Sequence, residues 1–152
     1  MTATAPRVWT VRTAQIVATT FHGNQKDKAG ARYVHHLTRV AANTKQGHGT
    51  AHQQMAAWLH DAVEDTTLTL ADLDRLGAPA EVVQIVAALT HASGQSHPRY
   101  WAQIRETPTA LLVKHADLAD NLNPDRLAQL PRETQERLVA KYLRALDALY
   151  HP

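Results

Sequence analysis

The sequence predicts an all-α fold, a compact multi-helix bundle. Three observations carry that expectation. Apolar residues recur at three- and four-residue steps through most of the chain. No stretch alternates apolar and polar residues as a half-buried strand does. Glycine and proline fall mainly between the periodic runs, where turns and caps belong. The 152 residues suffice for one hydrophobic core and are too few for two comfortable ones. A single domain over 1–152 is expected, with 1–8 as a flexible N-terminal segment.

The elements follow in order. Val11, Ala14, Val17, Ala18 and Phe21 give a first helix from about Thr10 to His22. Gly23-Asn24 and Ala29-Gly30 mark a polar loop. Tyr33 to Thr44 forms the second helix, with Val34, Leu37, Val40 and Ala41 inward, and Gly47-His48-Gly49 ends it. The third begins near Thr50 and buries Ala51, Met55, Ala56, Trp58 and Leu59. On its last turns it carries Leu59-His60-Asp61-Ala62-Val63-Glu64-Asp65-Thr66. Thr69 caps a short helix that Gly77 stops. Pro79 suits the first turn of the next, which runs through Val82, Ile85 and Leu89 to about His91. After a connection over Ser93 to Pro98 comes a helical piece from Arg99 to Ile104. Pro108 opens a helix that reaches Leu122, and Pro124 closes it. The last helix, about Arg132 to Leu149, presents Leu138, Tyr142, Ala145 and Leu149 on one face.

Composition narrows the function. Sixteen basic and fourteen acidic residues leave a net charge of +2, too balanced and too scattered for a nucleic-acid polymer. With no cysteine there is neither a disulfide framework nor a zinc–thiolate site. Met1 to Pro6 has no apolar signal core, and no segment approaches the roughly 18 apolar residues that span a bilayer. A cytoplasmic protein without a membrane partner is expected. A homo-oligomer stays open.

The candidate chemistry lies at the end of the third helix. One imidazole and three carboxylates there fall within six positions beside a buried face, where ionisable groups are costly unless paired. A divalent cation would pair them. His60 and Asp61 point about 100° apart on a helix, so further ligands must come from other helices. His35 and His36 sit beside core positions of the second helix, and Asp117, Asp120 and Asn121 lie on the helix that Pro108 opens. A mixed nitrogen and oxygen site suits Mn²⁺, Fe²⁺ or Zn²⁺ better than Mg²⁺ or Ca²⁺. Lys28, Arg32 and Lys114 are candidates to neutralise phosphate. Tyr100, after a flexible loop, is a candidate to stack on a base or touch phosphate. Trp9, Trp58 and Trp101 read as packing residues.

The order Tyr33-Val34-His35-His36-Leu37-Thr38-Arg39-Val40-Ala41, then His60-Asp61 with Glu64-Asp65-Thr66, then Lys114-His115-Ala116-Asp117 with Asn121, resembles the HD-domain metal-dependent phosphohydrolases. It is most similar to the small alarmone hydrolases and the hydrolase half of the bifunctional (p)ppGpp synthetase-hydrolases. The resemblance spans roughly Phe21 to Leu127. It implies an HD-domain bundle with a central metal site held by His36 (not His35), His60, Asp61 and Asp117. It implies Glu64 and Asp65 as the groups that orient and activate water. Asn121 and Lys28 fall at substrate-side positions. The implied activity is Mn²⁺-dependent removal of the 3′-pyrophosphate of (p)ppGpp or a related nucleotide. The alternatives are an HD-type nucleoside monophosphate phosphatase and a non-catalytic metal- and nucleotide-binding module. One departure concerns the base. Asp27-Lys28-Ala29-Gly30 stands where the guanine-nucleotide hydrolases carry Arg-Lys-Ser-Gly. A carboxylate cannot stack on a purine as that arginine does, and it would repel phosphate unless Lys28 or Arg32 pairs with it.

Overall fold

A computed structural model describes residues 8–152. Val8 is exposed; the rest of the N-terminal segment expected over 1–8 lies outside the described residues. The described chain is all-α, as expected. Its helices are α1 (Val11–His22), α2 (Tyr33–Gln46), α3 (Ala51–Leu59), α4 (Ala62–Asp65), α5 (Leu70–Arg75), α6 (Ala80–Leu89), α7 (His97–Arg105), α8 (Pro108–Asn121), α9 (Pro124–Leu127) and α10 (Arg132–Tyr150). Among the described residues, β-type pairing is limited to an isolated antiparallel bridge between Lys26 and Arg32.

Helix α3 is the centre of the bundle because its sequence leaves little polar surface. Gln53 and every residue from Met55 to Leu59 are buried, and α1, α2, α6 and α8 pack around it. Leu37 on α2, Leu59 on α3, Ile85 on α6 and Val113 on α8 are fully buried. Each such side chain stabilises the fold by about 1.5–3 kcal/mol relative to exposure. Helix α10 lies on α7 and α8 and closes one side of the bundle. Thr10, Thr50 and Thr69 begin α1, α3 and α5, each in a reciprocal capping box that satisfies two otherwise orphaned N–H groups. Trp9 is a packing residue, as read: it is buried, and its Nε1 donates to the Leu76 carbonyl at 2.9 Å.

The corner between α2 and α3 is tight. A Cβ on Gly49 would lie 2.7 Å from the Thr44 carbonyl oxygen, so only glycine lets the chain turn this close to the end of α2. Both helices carry residues of the candidate site, and this corner fixes their separation.

Three boundaries differ from the sequence reading. The cluster does not ride on the last turns of a continuous third helix. Helix α3 stops at Leu59, His60 and Asp61 form a turn, and the one-turn α4 follows. Pro124 does more than close α8, because its fixed φ also starts α9, with Asn123 as the cap. Helix α7 begins at His97 because the Ser96 side chain caps it from the supposed connection. Among the described residues no helix is long and apolar enough to cross a membrane.

Candidate metal centre

Three segments deliver the four central side chains. His36 lies on the buried face of α2, whereas neighbouring His35 is exposed. Asp117 lies on the buried face of α8. His60 and Asp61 come from the break between α3 and α4. Asp61 has φ −104° and ψ −4°, close to the bridge region in which many active-site residues sit. Neighbours on a continuous helix would diverge by about 100°. The break instead brings His60 Nε2 within 3.0 Å of Asp61 Oδ2. His36 Nε2 lies 3.1 Å from Asp117 Oδ1, and His60 Nε2 lies 3.4 Å from the same oxygen. One ligand-type atom from each of the four lies within 4.8 Å of all the others, an arrangement that can hold a metal ion.

The outer hydrogen bonds orient both imidazoles inward. His60 Nδ1 is 2.7 Å from the Ala57 carbonyl, which can only accept, so Nδ1 carries the proton. His36 Nδ1 faces Asp120 Oδ2 at 2.6 Å and is fixed in the same way. Both Nε2 lone pairs are thereby aimed at the carboxylates, the tautomer pattern of metal-ligating histidine. His60 Nε2 is buried and makes no hydrogen bond in the protein, which is the strongest sign that the residues fit a cation. Burial opposes charge on His60, yet Asp61 and Asp117 override it and raise its pKa well above the imidazole range. Burial likewise opposes charge on Asp117, and Lys114 with His60 nevertheless holds its pKa far below the carboxylate range. Asp61 is drawn down to about 2, its burial outweighed chiefly by His60. The centre calls for positive charge, which a proton or a metal ion can supply.

Around it lies a second set of contacts. Lys114 Nζ donates to Asp117 Oδ2 at 3.0 Å, and Asn121 Nδ2 donates to Asp117 Oδ1 at 3.2 Å. The Tyr33 hydroxyl donates to Asp61 Oδ2. Asp120 is buried and accepts from Arg39 Nε at 2.6 Å and Arg126 Nη1 at 2.7 Å, besides His36. Arg126 continues outward: its Nη2 donates to Asp27 Oδ2 at 3.3 Å. Asp27 Oδ1 accepts the N–H groups of Ala29 and Ala31 at 2.9 Å each. Asp27 is therefore a paired loop anchor. Its partner is Arg126 and not Lys28 or Arg32, the two cations considered from sequence.

The centre opens into a cavity of about 1070 Å³. Asp61 and Asp117 lie at its wall with Glu64, Asp65, Lys28, Tyr100, Lys114 and Asn121, so most of the expected site residues share one space. Glu64 accepts the His91 backbone N–H, and Asp65 Oδ2 accepts from Gln25 Nε2 at 3.2 Å. Burial and the nearby Asp61 raise the pKa of both carboxyls. Both sit on the separate four-residue α4 and not on the last turn of α3, where acids would oppose the helix dipole. Tyr100 is buried, its hydroxyl donates to the Leu89 carbonyl at 2.9 Å, and its ring stacks on His91 at 4.8 Å. What it offers the cavity is ring surface, with Lys114 Nζ 5.7 Å from the centroid. Arg32 is exposed before α2 and is not part of the cavity wall. Trp101 packs in part as read and also lines the cavity.

A family model described as "HD domain" matches residues 14–143. The chain belongs to the HD-domain family. Named relatives of this HD chain include the "GTP pyrophosphokinase rsh" of Brucella ovis, 31% identical over 84% of this chain and 18% of that protein. The "Bifunctional (p)ppGpp synthase/hydrolase SpoT" of Escherichia coli is 29% identical over 83% of this chain and 20% of its own length. The "Guanosine-3′,5′-bis(diphosphate) 3′-pyrophosphohydrolase" of Vibrio cholerae is 28% identical over 88% and 21% respectively. The HD chain thus spans about a fifth of the length of the curated relatives it matches. Its fold is shared with a solved structure titled "A metazoan ortholog of SpoT hydrolyzes ppGpp and plays a role in starvation responses", at TM-score 0.73 and 23% identity. That match covers 99% of this chain and 89% of the other.

Sequence reasoning missed Tyr33, Arg39 and Arg126. Arg39 and Arg126 meet Asp120 from 81 and 6 positions away, and no local pattern marks either. A hint did exist for Tyr33, since it lies one helical turn before the central histidine of α2.

Proposed function

We propose that this HD chain is a metal-dependent phosphohydrolase acting on a phosphorylated nucleotide, with removal of the 3′-pyrophosphate of (p)ppGpp or a close analogue as its reaction. The observation that carries this reading is one cavity wall holding both Asp61 and Asp117 of the four-residue centre and two further acids, Glu64 and Asp65. His36, His60, Asp61 and Asp117 are the residues that would hold the ion; their mixed donor set suits Mn²⁺, Fe²⁺ or Zn²⁺ better than Mg²⁺ or Ca²⁺, and Mn²⁺ is the choice the resemblance implies. Such an ion supplies Lewis-acid activation of water and offsets phosphoryl charge.

The protein's own groups do the rest. Glu64 and Asp65, with pKa values raised by burial, are tuned upward as proton acceptors for the attacking water. Lys114 stays charged despite its burial, because the Asp117 carboxylate keeps its pKa raised, and it directs that charge at incoming phosphate. Asn121, one turn beyond Asp117, and Lys28 on the opposing loop hold the sugar and phosphate for in-line displacement. Arg32, outside the cavity wall, is assigned at most to a long phosphate tail. Tyr100 acts through its ring face. The two water-side acids count against a purely binding module. A single domain over 1–152 in the cytoplasm, with the nucleotide as its partner, goes with this reading.

The test is a screen for phosphate and pyrophosphate release over nucleotides with Mn²⁺ present. Pyrophosphate from ppGpp is the expected result. Orthophosphate from nucleoside 5′-monophosphates alone would move the chain to the phosphatase class, and no release from any nucleotide would overturn the enzyme reading. A further expectation follows from the outer contacts. Asp120→Asn should keep the fold while weakening metal binding by about 10–100-fold, the scale for removing a partner of a ligating histidine. Chelator competition measures it; unchanged affinity would mean that Asp120 does not orient His36.

A further inference from the structure

Two side chains stand behind one of the water-side acids without reaching the cavity. His22 ends α1 and is buried, and Gln25 follows in the loop; neither lines the cavity, whereas Asp65 does. Gly23 turns the chain between them at φ +55°, a left-handed conformation that glycine adopts without strain. The His22 carbonyl then accepts the Gln25 N–H at 3.0 Å, and the Gln25 carbonyl accepts the Tyr33 N–H at 2.8 Å. The backbone of Gln25 is thereby tied to the end of α1 and to the start of α2.

Its side chain is engaged at both ends. Gln25 Oε1 lies 2.7 Å from His22 Nδ1, and an amide oxygen only accepts, so Nδ1 carries the proton. The amide nitrogen donates in the other direction, to Asp65 Oδ2 at 3.2 Å. Every polar group of Gln25 is therefore in use. His22 gains little else from being polar. Among the described residues its ring makes one hydrogen bond, to Gln25, and its Nε2 is buried without any. An apolar side chain of similar bulk would pack there without that cost. Asp65 is the last residue of α4, and a single turn of helix leaves its side chain free to rotate unless something holds it. Among the described residues its Oδ2 is held by Gln25 alone, and its Oδ1 makes no hydrogen bond.

We propose that Gln25, itself held by His22, is a positioning residue for Asp65: it clamps Oδ2 and so presents Oδ1 to the attacking water. This role rests on the hydrolase reading above. It also sets the two acids apart, since Glu64 is held independently by the His91 N–H. Gln25 and His22 act only through Asp65 and touch neither the nucleotide nor the ion.

The test measures kcat and KM for ppGpp, with metal content, in the Mn²⁺-loaded wild type, Gln25→Leu, His22→Leu and His22→Asn. Leucine keeps bulk and removes the bond, whereas asparagine returns an N–H donor close to the place of Nδ1. Gln25→Leu should lower kcat by about tenfold or more, the scale of a hydrogen bond to a charged group, with KM and metal content held. His22→Leu should follow it in direction, and His22→Asn should recover most of the loss. In an Asp65→Ala background Gln25→Leu should cost nothing further. Wild-type kcat in both leucine variants, an equal loss in the Asp65→Ala background, or metal lost in step with turnover would overturn the role. Crystal structures of wild type and Gln25→Leu keep the test independent of activity. The Asp65 carboxylate should leave its wild-type position in the variant, and an unmoved carboxylate would overturn the clamp. If wild type releases nothing from any nucleotide, the hydrolase reading falls, and the two structures alone decide whether Gln25 holds Asp65.

Discussion

His60→Ala is expected to lose the metal ion and turnover together. The residue is as fully buried as His36. Its Nε2 is buried without a hydrogen bond, and two carboxylate oxygens approach it at 3.0 and 3.4 Å. Its Nδ1 is tied to the Ala57 carbonyl, which holds the ring with Nε2 turned toward the carboxylates. Removing it takes away the nearest imidazole of Asp61, whose next ring nitrogen is His36 Nε2 at 3.8 Å, and leaves Lys114 and His36 to hold Asp117, a poorer balance of charge in a buried site. Asp61→Ala is expected to behave alike, because the chain break that aims Asp61 inward also aims His60. Loss of even an outer partner costs about 10–100-fold in metal affinity, so loss of a ligand should exceed that range. Elemental analysis after dialysis, alongside pyrophosphate release, gives the answer. Full metal content in the His60→Ala protein would remove His60 from the ligand set.

Glu64→Gln is expected to separate binding from chemistry. The glutamate carboxyl accepts the His91 N–H with one oxygen, and a glutamine oxygen can accept the same bond. The one-turn α4 should thus keep its place, and the four central residues should keep the ion. What disappears is a carboxylate whose pKa burial has raised, the group suited to take a proton from water. Turnover should fall by about 10²-fold or more, the usual scale of general-base catalysis, with nucleotide affinity held. Unchanged kcat would leave Asp65 as the acceptor, and the same substitution there would then have to show the loss.

The helices were legible in the sequence because they rest on short-range signals, whereas the four central residues came from the resemblance, the residues alone leaving His35 and His36 both open. Val34, Leu37, Val40 and Ala41 mark an inner face by their spacing alone, and the structure places His36 on that face while leaving His35 exposed. The break at His60–Asp61 was not legible. Leu59 to Asp65 contains neither glycine nor proline, and tertiary packing overrides a helical pattern there. The partner of Asp27 was equally hidden. Arg126 lies 99 positions away and carries no periodic signature, so sequence suggested the adjacent cations instead. Helix α10 followed the same rule: Leu138, Ala145 and Leu149 announced a packed helix, while which of its residues line the cavity depends on how the helix lies on α7 and α8.

The chain of contacts from Asp27 through Arg126 and Asp120 to His36 has a bearing on how this site can diversify. In the proposed function, the loop of Asp27 and Lys28 would meet the nucleotide and His36 would face the ion, and both lean on one shared arginine and one shared aspartate. Traits that look separable, base choice and metal demand, are thus inherited together. A lineage or a library drifting at position 27 toward a new base would at the same stroke resample how firmly the ion is kept. Variants that succeed should carry a second change at 126 or 120, so that adaptation of the loop leaves its trace on the opposite side of the centre.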